Sequence, residues 1–126
     1  MRGLYLKLFF KKFGNLSYIG KPIFILGSKK ISVGNKVRIF PNLRIEAHGP
    51  AEIIIEDNVS IGHNVHISAY DDLVIGSGTT VASNILIMSL IHDVVKKDLA
   101  YMDQPIRGKK TIIGKNCLIG SNSSIM

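Results

Sequence analysis

Val33, Ile39, Ile45, Ile55, Ile61, Ile67, Ile75, Val81, Ile87, Ile113, Ile119 and Ile125 follow one another in steps of six, broken at three places. Each is the third residue of a hexad, and the hexads start at 31, 37, 43, 53, 59, 65, 73, 79, 85, 111, 117 and 123. Val and Ile are 28 of the 126 residues yet fill all twelve of these positions, which freedom in choosing the register cannot produce. The first residue of the hexad is Val, Ile or Leu in eight cases and small in four: Thr79, Thr111, Cys117 and Ser123. On an extended chain, positions one and three point the same way, so each hexad offers a short apolar stripe to one side. β-Branched residues suit that pleated, buried surface.

The polar positions are as regular as the apolar ones. Position six is Asn at 42, 58, 64, 84, 116 and 122, and position four is Gly at 34, 62, 76, 114 and 120. Asn tolerates left-handed backbone and Gly removes the steric cost of a bend. Short strands turned at a fixed period predict an all-β solenoid built from hexapeptide repeats. With three hexads to a triangular coil, the chain divides into four coils, 31–48, 53–70, 73–90 and 111–126, the last two residues short. Residues 1–30 then form a basic and apolar cap with a lead-in strand over 22–30, and residues 31–126 form the repeat domain. The interruptions fall between coils: Gly49–Glu52, Asp71–Asp72, and the long loop 91–110 between coils three and four. A structureless stretch of that length in a compact domain is usually functional, so the chemistry is sought there.

Composition narrows the reading further. One domain is expected from 126 residues, and 46% apolar residues suffice for a core. The lone Cys117, in an inward position, has no disulfide partner and reads as a small buried residue in a reducing compartment. The net charge of +7 is uneven: residues 1–45 hold ten Lys or Arg and no acid, whereas residues 46–126 hold six bases and nine acids. Such an end can meet anionic lipid, acidic polysaccharide or nucleic acid, but no aromatic-interleaved nucleic-acid motif accompanies it. The stretch "LYLKLFFKKF" at residues 4–13 is too short to span a bilayer and lacks a cleavage site. It is expected to cap the first coil, with a weak membrane-surface contact as the rival reading.

Of the four histidines, His48, His63 and His66 read as surface residues near corners or on outward strand positions. They do not share hexad positions in the way a metal ligand set between coils requires, so no metal is expected. His92 differs, because it opens the long insertion two residues past coil three. Taken together, "SLIHDVVKKDL", the later "QPI" and "TIIGKNCLIGSN" resemble the hexapeptide-repeat O-acetyltransferases, over residues from about 20 to 126. The maltose/galactoside acetyltransferases and the acetyltransferases of surface-polysaccharide (O-antigen and capsule) assembly are the branches most similar.

That resemblance implies a left-handed parallel β-helix, against the usual right-handed crossover. It also implies a homotrimer with acetyl-CoA lying between subunits and a sugar hydroxyl as acceptor. By position in the motif, His92 is the general base, Asp71 its orienting acid, and Gly120 and Ser121 line the acetyl-CoA site. The family often has Trp where Leu118 stands here. Family members also continue past this point with further coils, so the chain is expected to be the front part of a longer enzyme, with a frayed last coil. The same resemblance implies a cytoplasmic protein, or one peripheral at the inner face of the membrane. Two alternatives remain: N-acetylation of a nucleotide-linked amino sugar, and a non-catalytic solenoid serving as scaffold.

Overall fold

Each hexad becomes one short strand. The computed structural model describes residues 9–92, 98, 100, 103 and 106–126. In the coil 31–48 the strands are β4 (Ile31–Val33), β5 (Arg38–Ile39) and β6 (Arg44–Ala47), and in 53–70 they are β7 (Ile53–Ile55), β8 (Ser60–Ile61) and β9 (His66–Ala69). The coil 73–90 holds β10 (Leu73–Ile75), β11 (Thr80–Val81) and β12 (Leu86–His92), and the coil 111–126 holds β14 (Thr111–Ile113), β15 (Leu118–Ile119) and β16 (Ser124–Ile125). Strands at equivalent places stack in parallel and in register, for instance Ile31 on Ile53 on Leu73 on Thr111. Three flat parallel sheets result, the walls of an all-β solenoid.

The solenoid begins earlier than the repeat of Val and Ile indicates. Part of the segment expected as a cap forms another coil, with β1 (Lys12–Phe13), β2 (Tyr18–Ile19) and β3 (Phe24–Leu26) at the edge of each sheet. Phe13 pairs with Val33, Ile19 with Ile39 and Ile25 with Ile45, so the hexad register extends back to residue 11. The signal is weak in sequence because Lys11 and Ser17 fill places where the repeat wants an apolar residue. Ser17 is nevertheless buried, its Oγ donating to the Gly34 carbonyl at 2.6 Å and accepting from Val37 N–H at 2.9 Å. A hydroxyl can stand in a dry position when both its capacities are met by the backbone of the next coil. Thr79 repeats this device, donating to Gly114 and accepting from Cys117 N–H.

Positions one and three fill the core. Ile31, Ile53, Ile61, Ile67, Leu73, Ile75 and Ile87 are all 0% exposed. The corners obey the Asn rule: Asn42, Asn58, Asn64, Asn84, Asn116 and Asn122 all have φ between 55° and 70°, the left-handed region in which Asn is among the least strained residues. Gly78, at position six of its hexad, takes the same turn at φ 77°.

Cys117 is exposed, which corrects its expected burial. Its coil stacks on β10, β11 and β12.

Candidate active site

The three sheets differ at their corners. Hexads of the first two sheets, the one ending in Pro22 excepted, end in a left-handed residue, and their strands stop after two or three residues. The third hexads end in His48, Tyr70 and Leu90, none of which has positive φ, so those strands run on. A further inward position is thereby created, filled by Ala47, Ala69 and Ser89, all at most 1% exposed. All three interruptions of the repeat leave the solenoid at this corner.

The longest overrun belongs to β12. It follows β9 in parallel as far as Ser89 opposite Ala69, then leaves the sheet and pairs antiparallel with β13 (Ile106–Gly108). Leu90 faces Gly108, Ile91 faces Arg107 and His92 faces Ile106. The expected loop 91–110 therefore begins and ends as a two-stranded ribbon. His92 sits on its outgoing strand, its side chain outside the described residues.

Asp71 lies at the foot of that ribbon. A Cβ built on Gly108 would collide with the Tyr70 carbonyl and stand 3.0 Å from the Asp71 Cβ, so glycine lets β13 pass this close. Ser89 locks the corner to β12: its buried Oγ donates to the Asp71 carbonyl at 2.9 Å and accepts from Tyr70 N–H at 3.1 Å. Asp71 Oδ1 accepts from Asp72 N–H at 2.7 Å, while Asp72 Oδ1 accepts from Glu52 N–H at 3.0 Å. Of the two acids, Asp72 joins coils and Asp71 borders the ribbon.

Under the ribbon lies a cavity of about 310 Å³, lined by Met88, Ser89, Leu90, Lys109, Lys110 and Met126. Its floor is the apolar end of β12, and two lysines stand at its wall. Gly120 and Ser121 lie elsewhere, at the corner where the coil 111–126 turns from the second sheet into the third. Gly120 has open space where a Cβ would stand, and Ser121 is exposed. No described contact joins this pair to Asp71. A second hollow of about 350 Å³, lined by Lys12, Gly34, Ile54, Glu56, Asp57 and Lys115, lies on another face. Its acids are engaged in turns: Asp57 accepts from Asn35 N–H and Glu56 from Ser77 N–H.

Sequence reasoning missed one cluster. Glu46 points outward from β6 yet is only 9% exposed, because its neighbours cover it. Its Oε2 lies 2.7 Å from His66 Nε2 and 3.1 Å from Arg44 Nε, and its Oε1 lies 3.3 Å from His48 Nε2. Burial opposes ionisation of this carboxyl, but the His66 hydrogen bond and charge, with Arg44 and His48, outweigh it and hold its pKa below the ordinary value. His48 in turn stacks on Tyr70, ring centroids 4.2 Å apart, and Tyr70 precedes Asp71. Polar contacts thus run along the third sheet from Arg44 to the foot of the ribbon. Alternation along β6 placed Arg44, Glu46 and His48 on one face, the signal available in the sequence. The coil-to-coil offset that delivers His66 to Glu46 was the missing piece.

Among the described residues, no three His, Cys, Asp or Glu are disposed to hold a metal ion. Nor is any described helix long and apolar enough to cross a membrane.

No family model matches the chain. The solenoid fold is nonetheless shared with known acyltransferases. WbbJ of Escherichia coli (strain K12), whose name assigns it to O-acetyl transfer in lipopolysaccharide biosynthesis, is 26% identical over 120 residues, covering 89% of this chain and 61% of WbbJ. Among solved structures, AntD, an N-acyltransferase from Bacillus cereus, superposes with a TM-score of 0.72 at 18% identity, covering 96% of this chain and 65% of AntD. That structure holds dTDP and 3-hydroxybutyryl-CoA. A single-residue variant of AntD, in complex with dTDP-4-amino-4,6-dideoxyglucose and coenzyme A, superposes with a TM-score of 0.76. At that identity the superposition establishes the fold. The chain spans under two thirds of the length of each of these proteins.

Proposed function

We propose that this chain serves acyl transfer from acetyl-CoA to a sugar hydroxyl, with His92 as general base. The observation that carries the reading is the ribbon. It carries the strand of His92 out of the scaffold, starting from the pair Leu90 and Gly108, of which Gly108 packs near Asp71 and Leu90 lines a cavity with two lysines.

A sugar hydroxyl is a weak nucleophile until a base takes its proton, and an imidazole titrates in the range that suits this work. His92 takes the hydroxyl proton as the oxygen attacks the thioester carbonyl. Backbone N–H groups steady the oxyanion of the tetrahedral intermediate. Its collapse breaks the carbon–sulfur bond, and the proton held by His92 passes to the departing sulfur. Asp71 positions the base or the acceptor at the ribbon's foot. Lys109 and Lys110 are suited to the phosphates of the acyl donor, and the open backbone at Gly120 and Ser121 to its close approach. The likeness to WbbJ supports a hydroxyl acceptor in surface-polysaccharide assembly.

The reading extends to assembly and location. Ile54, Val74 and Ile112 stand in register on the outer face of the first sheet, an apolar row suited to a second copy and hence to a homotrimer. A supply of acetyl-CoA and an unpaired Cys117 fit the cytoplasm.

The test is release of free thiol from acetyl-CoA in the presence of a panel of sugars, followed by mass analysis of the product. A hydroxylamine-labile ester is expected. A hydroxylamine-stable amide on an amino sugar supports the second reading, N-acyl transfer, which the AntD fold favours. Silence with every acceptor, alongside undetectable acetyl-CoA binding, returns the chain to a scaffold role.

A further inference from the structure

The outward face of the solenoid changes character along its axis. In the coil 53–70 the outward positions hold Glu56, Asn58, Ser60, Asn64, His66 and Tyr70, with Ile54 the one exposed large aliphatic residue. In residues 11–28 the same positions hold Leu16, Tyr18, Phe24 and Leu26, all exposed. Ile23 adds to them at 65% exposure. Phe40, from the next coil, continues the patch, its ring centroid 6.2 Å from that of Tyr18.

Leu16 is the sharpest case. It occupies a corner position filled by Lys36, Asn58, Gly78 and Asn116 in the other coils, with φ 60°, and is 77% exposed. A branched apolar residue in left-handed backbone costs about 1–2 kcal/mol, and burial offers no return here. A strained residue that holds an apolar tip in water points to a use for the tip.

Charge identifies what that use is. Residues 1–45 carry ten bases and no acid, and Glu46 is the first acid of the chain. Lys21 stands exposed between Tyr18 and Ile23, and Arg44 lies over the Phe24 ring at 5.6 Å. Aliphatic tips and aromatic rings interleaved with lysine, around the first coil of the solenoid, match a lipid headgroup layer. There the apolar ends enter the interface while the ammonium groups reach phosphates. A nucleic-acid strand would want a groove and flat stacking platforms rather than projecting Leu and Ile.

We propose that the first coil docks the protein on an anionic membrane surface through the edge running from Leu16 to Leu26. Docking is reversible, since the inserted residues are few. Acceptors carried at the lipid surface would then meet the protein within a two-dimensional layer. The inference stands apart from the acyl-transfer reading, and its test does not use activity.

The experiment is flotation of the intact chain with vesicles of phosphatidylcholine alone and of phosphatidylcholine mixed with phosphatidylglycerol. Binding to the mixed vesicles, lost at high ionic strength and absent with phosphatidylcholine alone, is expected. Lys21→Glu should weaken the partition about fivefold or more, the effect of about one interfacial charge. Tyr18→Ser combined with Phe24→Ser should weaken it about tenfold, by removing apolar area. Leu118→Ser, at an apolar residue equally exposed on another coil, should leave binding unchanged. Thermal melts establish that each variant is folded. The proposal is overturned if the mixed vesicles do not float the chain, if both vesicle types float it equally, or if the Tyr18/Phe24 variant binds as well as the parent. It is overturned equally if that variant instead changes the oligomeric state, which would make the edge a contact between copies. Retention by single-stranded RNA with the vesicles ignored would also overturn it.

Discussion

The third sheet and the other two are built from the same hexads, yet they do different things. In the first two sheets a left-handed residue closes every hexad but the one ending in Pro22, and strands stay short. In the third, the closing residues are His48, Tyr70 and Leu90 in ordinary backbone, strands lengthen, and the insertions depart from their ends. The outward Glu46, His48, His66 and Tyr70 form one connected cluster there, and β12 carries on to His92. A solenoid can afford irregularity on one face when the stacking of the other two holds the register. On the proposed reading the third sheet carries the chemistry on a scaffold that all three sheets build, and four substitutions test that division.

The largest effect is expected at His92. His92→Ala should lower turnover about 10²–10⁴-fold, the usual contribution of a positioned general base, while leaving the melting temperature and acetyl-CoA affinity nearly unchanged. Steady-state rates beside His66→Ala check it, and an equal fall in the two variants would move the base to the Glu46 cluster.

Ile61→Ala is the mirror experiment on the second sheet. Ile61 is fully buried, so its truncation should cost about 2–5 kcal/mol of stability through lost burial and a residual cavity. Denaturant unfolding measures this directly. In a folded preparation the rate should follow the parent.

Gly108→Ala probes the join between scaffold and ribbon. The added methyl must push β13 away from the Tyr70 carbonyl, and misplacing catalytic groups by ~1 Å costs on the order of 10² in rate. Turnover should fall with the thermal midpoint little changed. A fully active variant would detach the ribbon from the chemistry.

The smallest effect is expected at Glu46→Gln, about 1–3 kcal/mol at neutral pH, because His66, His48 and Arg44 lose a charged partner in a largely covered place. The folded carboxyl titrates below its ordinary value, so the parent's extra stability is full above the ordinary carboxylate range. It disappears as pH falls through the lower folded value. Denaturation series should find parent and variant well apart at pH 7 and converging in acid. A gap that stays constant with pH would mean the carboxylate charge is not what stabilises the cluster.

Most of the scaffold was legible because it depends on period alone. The hexad fixes which side chains point inward, and Asn marks the corners, since its short polar side chain makes left-handed backbone tolerable. The position of the long insertion followed from the same count, and with it the choice of His92. Legibility failed where side chains from different coils had to be matched. His48 and His66 hold different places in their hexads and looked unrelated. They meet because Glu46 stands opposite Ser68, between their rows, once the coils are stacked.

The sequence by itself determined the strand period, the corners, the core residues, the place of departure from the repeat and the basic amino-terminal third. Tertiary structure decided the rest. It recruited residues 11–28 into a further coil although Lys11 and Ser17 break the apolar rule, because hydrogen bonds to the next coil satisfy what the side chains do not. It turned the ends of the insertion into a ribbon and let Gly108 bring that ribbon against Asp71. The physical reason is common to these cases. A repeat specifies the direction of each side chain within its own coil, while the neighbours of that side chain belong to the coils above and below. Insertions of two or four residues set their alignment, and stacking alone resolves it.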